Sequence, residues 1–240
     1  LPLTPEDIAA RVLHLDADVL VIDKPAGLPV HAGTKVQQHL EELLDLVRFG
    51  AAEPPRLAHR LDKDTSGCLV LGRTPGALTA LGRLFAGGRV EKVYWAVTLG
   101  VPARPRGRID LPLLKVAGPT GAMAEVRPEG KPAVTEYEVL GTATGPAGEV
   151  AWLGLRPRTG RTHQLRAHCR ALGTPILGDP IYGPERPPPC PLHLHARAVS
   201  LALGPGTAPL SVEAPLPAHM AATFAAAGWE AGQGRDEVPV

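Results

Sequence analysis

Asp62 and Asp64 are the carboxylates whose surroundings could support chemistry. They stand in the stretch His59 to Gly67, HRLDKDTSG, with Arg56, Arg60 and Lys63 close in sequence, and the apolar run CLVLG follows. A cation within about 4 to 6 Å lowers a carboxyl pKa by roughly 1 to 3 units, so such a setting keeps a carboxylate ionised and nucleophilic. Arginine is the usual partner where a planar, two-pronged contact is wanted. If the chain is extended through Arg60 and Asp62, period-two alternation puts both on one face and turns Leu61 into the core. A surface turn of solvated charges would show the same residues. The two readings are separated by a second basic run far downstream.

That run is Arg156 to Arg170, RPRTGRTHQLRAHCR, with five arginines, two histidines and no acid. The formal net charge of the chain is only +1, so the basic residues are segregated and not in general excess. Segregation of this kind predicts a bounded track for a polyanion. The four histidines His163, His168, His193 and His195 lack ligand spacing with cysteine or aspartate, and no metal site is expected.

The elements that must position these groups can be read in order. A short helix is predicted over Pro5 to Val12, then a strand, DVLVIDKP, turned by Gly27 and Pro29. His39 to Phe49 places Leu40, Leu43, Leu44 and Val47 on one helical stripe, which Gly50 stops. After the Asp62 turn come a buried strand over Cys68 to Leu71 and a helix over Pro75 to Ala86, with Leu78, Leu81 and Phe85 inward. Glu91 to Leu99 alternates cleanly, so Tyr94 points away from the row Val93, Trp95, Val97 and Leu99. Pro102 to Pro132 reads as loops around short strands, including IDLPLL.

TEYEVLG and EVAWLGLRP are expected to pair. A helix from His163 to Leu172 follows, closed by Gly173, with Leu165, Cys169 and Leu172 inward. PILGDPIYG and ERPPPCP are expected to be loops, HLHARAVSLAL and SVEAPLP closing strands, and Ala218 to Ala227 a small helix before a frayed tail. Lys24, before Pro25, is expected to fix its strand-turn region or meet a carboxylate. The expected division is a catalytic domain over residues 1–217 and a short helix with a flexible tail over 218–240.

Composition narrows the function classes. Hydrophobic residues at 44% and charged residues at 20% exclude a mainly disordered chain. No run reaches the roughly 18 apolar residues that a membrane helix needs, and the N-terminus lacks a signal-peptide layout. Three cysteines, Cys68, Cys169 and Cys190, cannot pair completely and suit a reducing compartment, so a cytoplasmic location is expected.

HRLDKDTSG, KVYWAV and RTGRTHQLRAH, in that order, resemble the RluA family of RNA pseudouridine synthases. KPAGLPV upstream, and ILGDPIYG and LHA downstream, are similar to the same family's supporting segments, and the likeness runs from about Leu15 to Pro215. The resemblance implies an α+β pseudouridine synthase catalytic fold: a mixed, mainly antiparallel bent sheet in two halves with a central cleft. It implies that Asp62 is the catalytic aspartate, Tyr94 the active-site tyrosine, and Arg166 the arginine that pairs with the aspartate. Leu165 would be the adjacent apolar contact, and Arg60 would fill the place left by a flipped nucleotide. Asp64 is not carried over as catalytic.

The implied reaction converts uridine in structured RNA, rRNA or a tRNA loop, to pseudouridine without a cofactor. Arg158, Arg161, Arg170 and His163 would bind the RNA, and the implied form is a monomer without membrane contact and without the family's extra N-terminal S4-like domain. Attack by Asp62 at C1′, attack at C6 and a glycal route all remain open. Two rival readings use the same residues. A phosphatase of the D-x-D type would use Asp62 and Asp64, but AHR precedes LD where an apolar strand end is usual, and no later acid pair offers a magnesium site. A non-catalytic RNA-binding protein would keep the cleft without turnover.

Overall fold

In the computed structural model the described residues are 3–32, 37–118, 121–145, 148–184, 189–204 and 208–230. In chain order the elements are α1 (Pro5–Ala9), β1 (Val12–Leu15), β2 (Val19–Lys24), α2 (Leu40–Leu44) running into a 3-10 turn (Asp45–Val47), β3 (Arg56–Leu57), β4 (Ser66–Gly72) and α3 (Pro75–Ala86). Then come β5 (Glu91–Leu99), β6 (Arg106–Asp110), β7 (Leu113–Gly118), β8 (Gly121–Val126), β9 (Val134–Gly145), β10 (Gly148–Pro157) and α4 (Gln164–Ala171). β11 (Leu194–Leu201), β12 (Leu210–Glu213) and α5 (Ala218–Ala227) complete the described chain.

The chain divides into two compact units, Leu1–Lys92 with Ala196–Pro215, and Val93–His195 with Leu216–Val240. In the first, β2 pairs antiparallel with β1 and with β4, β3 extends β4, and β12 pairs antiparallel with β11. Its core joins Val19, Val21, Cys68 and Val70 to Leu81 and Leu84 of α3 and to Val199, Leu201 and Val212. Thr74 caps α3 by accepting from the Ala77 amide at 3.1 Å, with Pro75 next, which is why this helix begins where the sequence predicts. The buried stripe is Ala77, Leu81 and Leu84. Phe85, expected inward, is half-buried and stacks on His59.

In the second unit β10 pairs antiparallel with β5 on one side and β9 on the other, and β6 pairs with β9. α4 packs on this sheet through Leu165 and Cys169, against Tyr137, Leu153, Leu155 and Ile176. β7 and β8 form a separate two-stranded hairpin, in register from Leu113 against Val126 to Gly118 against Gly121. The sequence predicts loops around short strands here without resolving a hairpin, because its small residues and glycines show no alternation; backbone pairing creates it.

β5 alternates as predicted, yet burial covers both faces from Trp95 to Thr98. Tyr94 turns away from Trp95 and lies half-buried against the apolar cluster that α4 covers. Trp95, Trp152, Phe224 and Trp229 form an aromatic cluster that seats α5. The boundary expected at residue 217 falls at the start of this helix, whose Met220 and Phe224 are buried. The expected frayed tail and most of ERPPPCP lie outside the described residues.

Candidate active site

The Asp62 segment is a turn built from backbone. The Thr65 amide donates to the Asp62 carbonyl at 3.2 Å, leaving Lys63 and Asp64 at the corner. Alternation holds through it: Leu61 is buried, Arg60 exposed and Asp62 half-buried. Gly67 ends the turn at φ +105, and a Cβ there would strike the Ala196 carbonyl, so only glycine fits.

Lys24 holds this turn from beneath. Its side chain is fully buried, and Nζ donates to the carbonyls of Pro25 at 2.8 Å, Leu28 at 2.9 Å and Lys63 at 3.0 Å. Three donors meeting three acceptors is the geometry of an ammonium. The Gly27 amide also donates to the Lys63 carbonyl, at 2.9 Å, so the KPAG turn and the Asp62 turn are fastened at one atom. Burial pulls the Lys24 pKa down to about 7, against the nearby charges of Asp64 and Asp62. Lys24 therefore fixes its strand-turn region, as the sequence suggests.

His59 has a backbone task. Its Nε2 accepts the Val70 amide at 3.0 Å while the Ala58 amide donates to the Val70 carbonyl at 3.1 Å, so an imidazole finishes the pairing of β4 beyond the end of β3. The ring stacks on Phe85 at 4.3 Å. Burial, helped by Lys92, pushes its pKa down to about 3, and the neutral ring carries its proton on Nδ1. Arg56, expected near Asp62, instead reaches toward Glu53 at 3.6 Å. Within its own unit the Asp62 carboxylate takes no hydrogen bond or ion pair among the described residues.

The basic run of the second unit is held by Gln164. Its amide nitrogen donates to the Val134 carbonyl at 2.9 Å and to Thr135 Oγ1 at 3.0 Å, and its oxygen accepts from Thr159 Oγ1 at 2.7 Å and the Arg161 amide at 3.0 Å. His168 adds Thr135 Oγ1 at 2.9 Å and the Leu111 carbonyl at 3.1 Å. His163 stands just before α4 in the left-handed region, φ 48. Tyr94 and Leu165 lie in the same apolar cluster.

Arg166 is buried. Nε donates to Asp179 Oδ2 at 2.8 Å and Nη2 to Oδ1 at 2.7 Å, and the pair is 2% and 0% exposed. Asp179 Oδ1 also accepts the amides of Ile181 at 2.8 Å and Tyr182 at 2.9 Å. Burial pushes the Asp179 pKa up, but the Arg166 hydrogen bond and charge and the two amides outweigh it, and the net shift is down. The Tyr182 ring lies 5.3 Å from the Arg166 guanidinium carbon. Gly178 is required in this loop, since at φ +75 a Cβ would meet the Pro191 carbonyl.

The remaining expected contacts are outward. Arg158 pairs with Glu136 at 2.8 Å, Arg161 Nε donates to the Pro132 carbonyl at 3.0 Å, and Arg170 Nη1 to the Tyr182 carbonyl at 3.1 Å. Sequence reasoning missed Asp179 and Tyr182. The available signal was charge: between Glu149 and Glu185 Asp179 is the only acid, while the same span holds five arginines.

A family model described as RNA pseudouridylate synthase matches residues 18–171. An uncharacterised RNA pseudouridine synthase of Zymomonas mobilis is 44% identical over 88% of this chain and 95% of its own length. The mitochondrial pseudouridylate synthase RPUSD4 of Xenopus tropicalis is 34% identical over 88% of this chain and 78% of its own. Among solved structures, human RNA pseudouridylate synthase domain containing 4 superposes with a TM-score of 0.79, at 31% identity, covering 94% of this chain and 96% of that one.

The expected cytoplasmic location does not stand. Relatives from Xenopus tropicalis, Mus musculus, Rattus norvegicus, Arabidopsis thaliana and Oryza sativa are named as mitochondrial. An odd cysteine count and the lack of a long apolar run do not distinguish one compartment from another. Among the described residues no helix is long and apolar enough to cross a membrane.

Proposed function

The chain belongs to the RNA pseudouridylate synthase family, enzymes that isomerise uridine in RNA to pseudouridine, and we propose that Asp62 is its reactive carboxylate. The observation that carries this reading is the turn itself. Backbone, Lys24 and Gly67 hold it in place, and the half-buried Asp62 carboxylate takes no part in building it. A carboxylate on a fixed support and not engaged in holding it is what a nucleophile or base requires.

In the reaction the C1′–N1 bond breaks, the uracil turns, C1′–C5 forms, and the proton on C5 leaves as N1 gains one. Asp62 serves as the nucleophile or base, by attack at C1′, by attack at C6 or through a glycal. The half-buried phenol of Tyr94 stacks on the detached uracil and assists loss of the C5 proton. Arg166 supplies positive charge for the carboxylate, and Leu165 an apolar wall.

A stacked uridine hides its glycosidic bond, so the target is flipped out, at a cost of a few kcal/mol that is least in a loop. Arg60, exposed on the Asp62 turn, suits the vacated position. Arg158, Arg161, Arg170 and His163 contact the RNA backbone. The substrate is a loop of rRNA or tRNA, and the protein acts as a monomer.

The test is tritium release from C5-labelled RNA with parent and Asp62→Asn protein, with binding measured alongside. The variant is expected to bind RNA like the parent and to lose turnover by on the order of 10³-fold or more. Equal single-turnover rates in the two proteins would remove Asp62 from the mechanism.

A further inference from the structure

Tyr182 engages every polar atom it has. Its amide donates to Asp179 Oδ1 at 2.9 Å, and its carbonyl accepts from Arg170 Nη1 at 3.1 Å. Its hydroxyl donates to the Ala124 carbonyl at 3.0 Å and accepts the Ala124 amide at 2.8 Å. His163 Nδ1 stands 3.3 Å from the same oxygen. A phenol has one proton, and the Ala124 carbonyl takes it, so His163 carries a proton on Nδ1 and donates.

The contact to Ala124 has a direction. In antiparallel strands the N–H and C=O of one residue point to the same side. Both groups of Ala124 face Tyr182, so they point away from β7, and the phenol stands where a further strand would pair. It thereby pins the outer edge of β8 at one residue. The ring packs with Leu113, Ala124, Ala133 and Ala167, joining both hairpin strands to α4. A phenol ring is rigid, and its face is the surface on which the Arg166 guanidinium lies.

We propose that Tyr182 is a positioning residue for the isomerisation, tying the placement of the Arg166 guanidinium to the placement of the β7–β8 hairpin. Asp179 fixes the plane of the guanidinium, while the Tyr182 ring fixes where that plane lies relative to β8. A shift of the hairpin is carried by the ring to Arg166. The inference rests on the reading in which Arg166 serves the reaction.

The test uses the full chain and a C5-tritiated RNA fragment that the parent modifies. Tyr182→Phe removes the hydroxyl and keeps the ring. Ala124→Pro removes the opposing N–H and sets ring carbons against the phenol oxygen, on an edge that β7 does not use, so it displaces the Tyr182 hydroxyl while sparing the β7–β8 ladder. Each change is expected to lower kcat at saturating RNA by about 10-fold or more, the scale of a slightly misplaced catalytic group, with KM within about twofold.

Because both changes cut the same link, the double variant should be no slower than the slower single. All rates are taken well below the unfolding midpoints. Parent-like kcat in both singles, with only the melting temperature lowered, would reduce Tyr182 to a structural role and overturn the proposal. So would losses that multiply in the double variant. Should Tyr182→Phe not fold, Ala124→Pro decides alone. Asp62→Asn separates the two readings: an inactive Asp62 variant beside a parent-like Ala124→Pro sinks only this inference, whereas an active one sinks the catalytic assignment itself.

Discussion

In the first unit the Asp62 turn is held through its main chain, by a buried ammonium that grips three carbonyls, so that the carboxylate is left out of the scaffold. In the second unit Arg166 is held through its side chain, forked onto Asp179, and is part of the scaffold itself. Under the proposed roles, the difference separates chemistry from stability at one place and joins them at the other. Asp62 can be changed without disturbing what supports it. Arg166 cannot, because its removal leaves Asp179 buried and charged.

The largest expected break in that comparison is Arg166→Met. Removing one partner of a buried pair costs about 3 to 5 kcal/mol, and thermal unfolding should fall by roughly 2 to 4 °C per kcal/mol. Asp62→Asn should stay within about 0.5 kcal/mol of the parent. Removing the stranded charge with Arg166→Met/Asp179→Asn, which keeps an oxygen for the Ile181 and Tyr182 amides, should recover part of the loss, and a single variant as stable as the parent would show that the pair is not the strut described.

Lys24→Met asks how much the first support holds. It strands the Pro25 and Leu28 carbonyls, since that of Lys63 keeps the Gly27 amide, and is expected to cost about 1 to 3 kcal/mol, less than the arginine because no buried ion-pair partner is left behind. Denaturant midpoints measure it, and activity per folded molecule should fall with the loosened turn. An unchanged midpoint with unchanged turnover would mean that the turn holds itself.

The smallest effect is expected from pH. His59 in the first unit and His193 in the second are both pushed down by burial, to about 3 and about 4, from an ordinary 6.5. For a base with a lowered folded pKa, the unfolded chain takes up its proton first as pH falls. The contribution of these two histidines is therefore full above pH 6.5 and declines below it, down to about 4 for His193 and about 3 for His59. Between pH 6.5 and 5.5 the decline should be up to about 1 kcal/mol for each. Repeating the titration in His59→Asn and His193→Asn assigns the slope to one unit or the other.

Much of this was legible before the fold was known. The stretch Pro75 to Ala86 was readable as α3, Gly173 marked the end of α4, and alternation along Glu91–Leu99 turned Tyr94 from Trp95, because helical stripes, φ > 0 positions and period two are local rules. The ordered motifs named the family. The hairpin β7–β8 was illegible, since its small residues carry no pattern and only pairing across Gly118 and Gly121 makes it a sheet.

The site divides the same way. Residue types and spacing by themselves put a carboxylate at a turn among cations and five arginines in one acid-free run, since charge and turn chemistry are written locally. Only the tertiary structure decided that Arg166 is buried and committed to Asp179, that Lys24 serves carbonyls, and that Tyr182 reaches Ala124. Those partners lie 13, up to 39 and 58 residues apart, where a donor's choice of acceptor depends on the path of the chain between them.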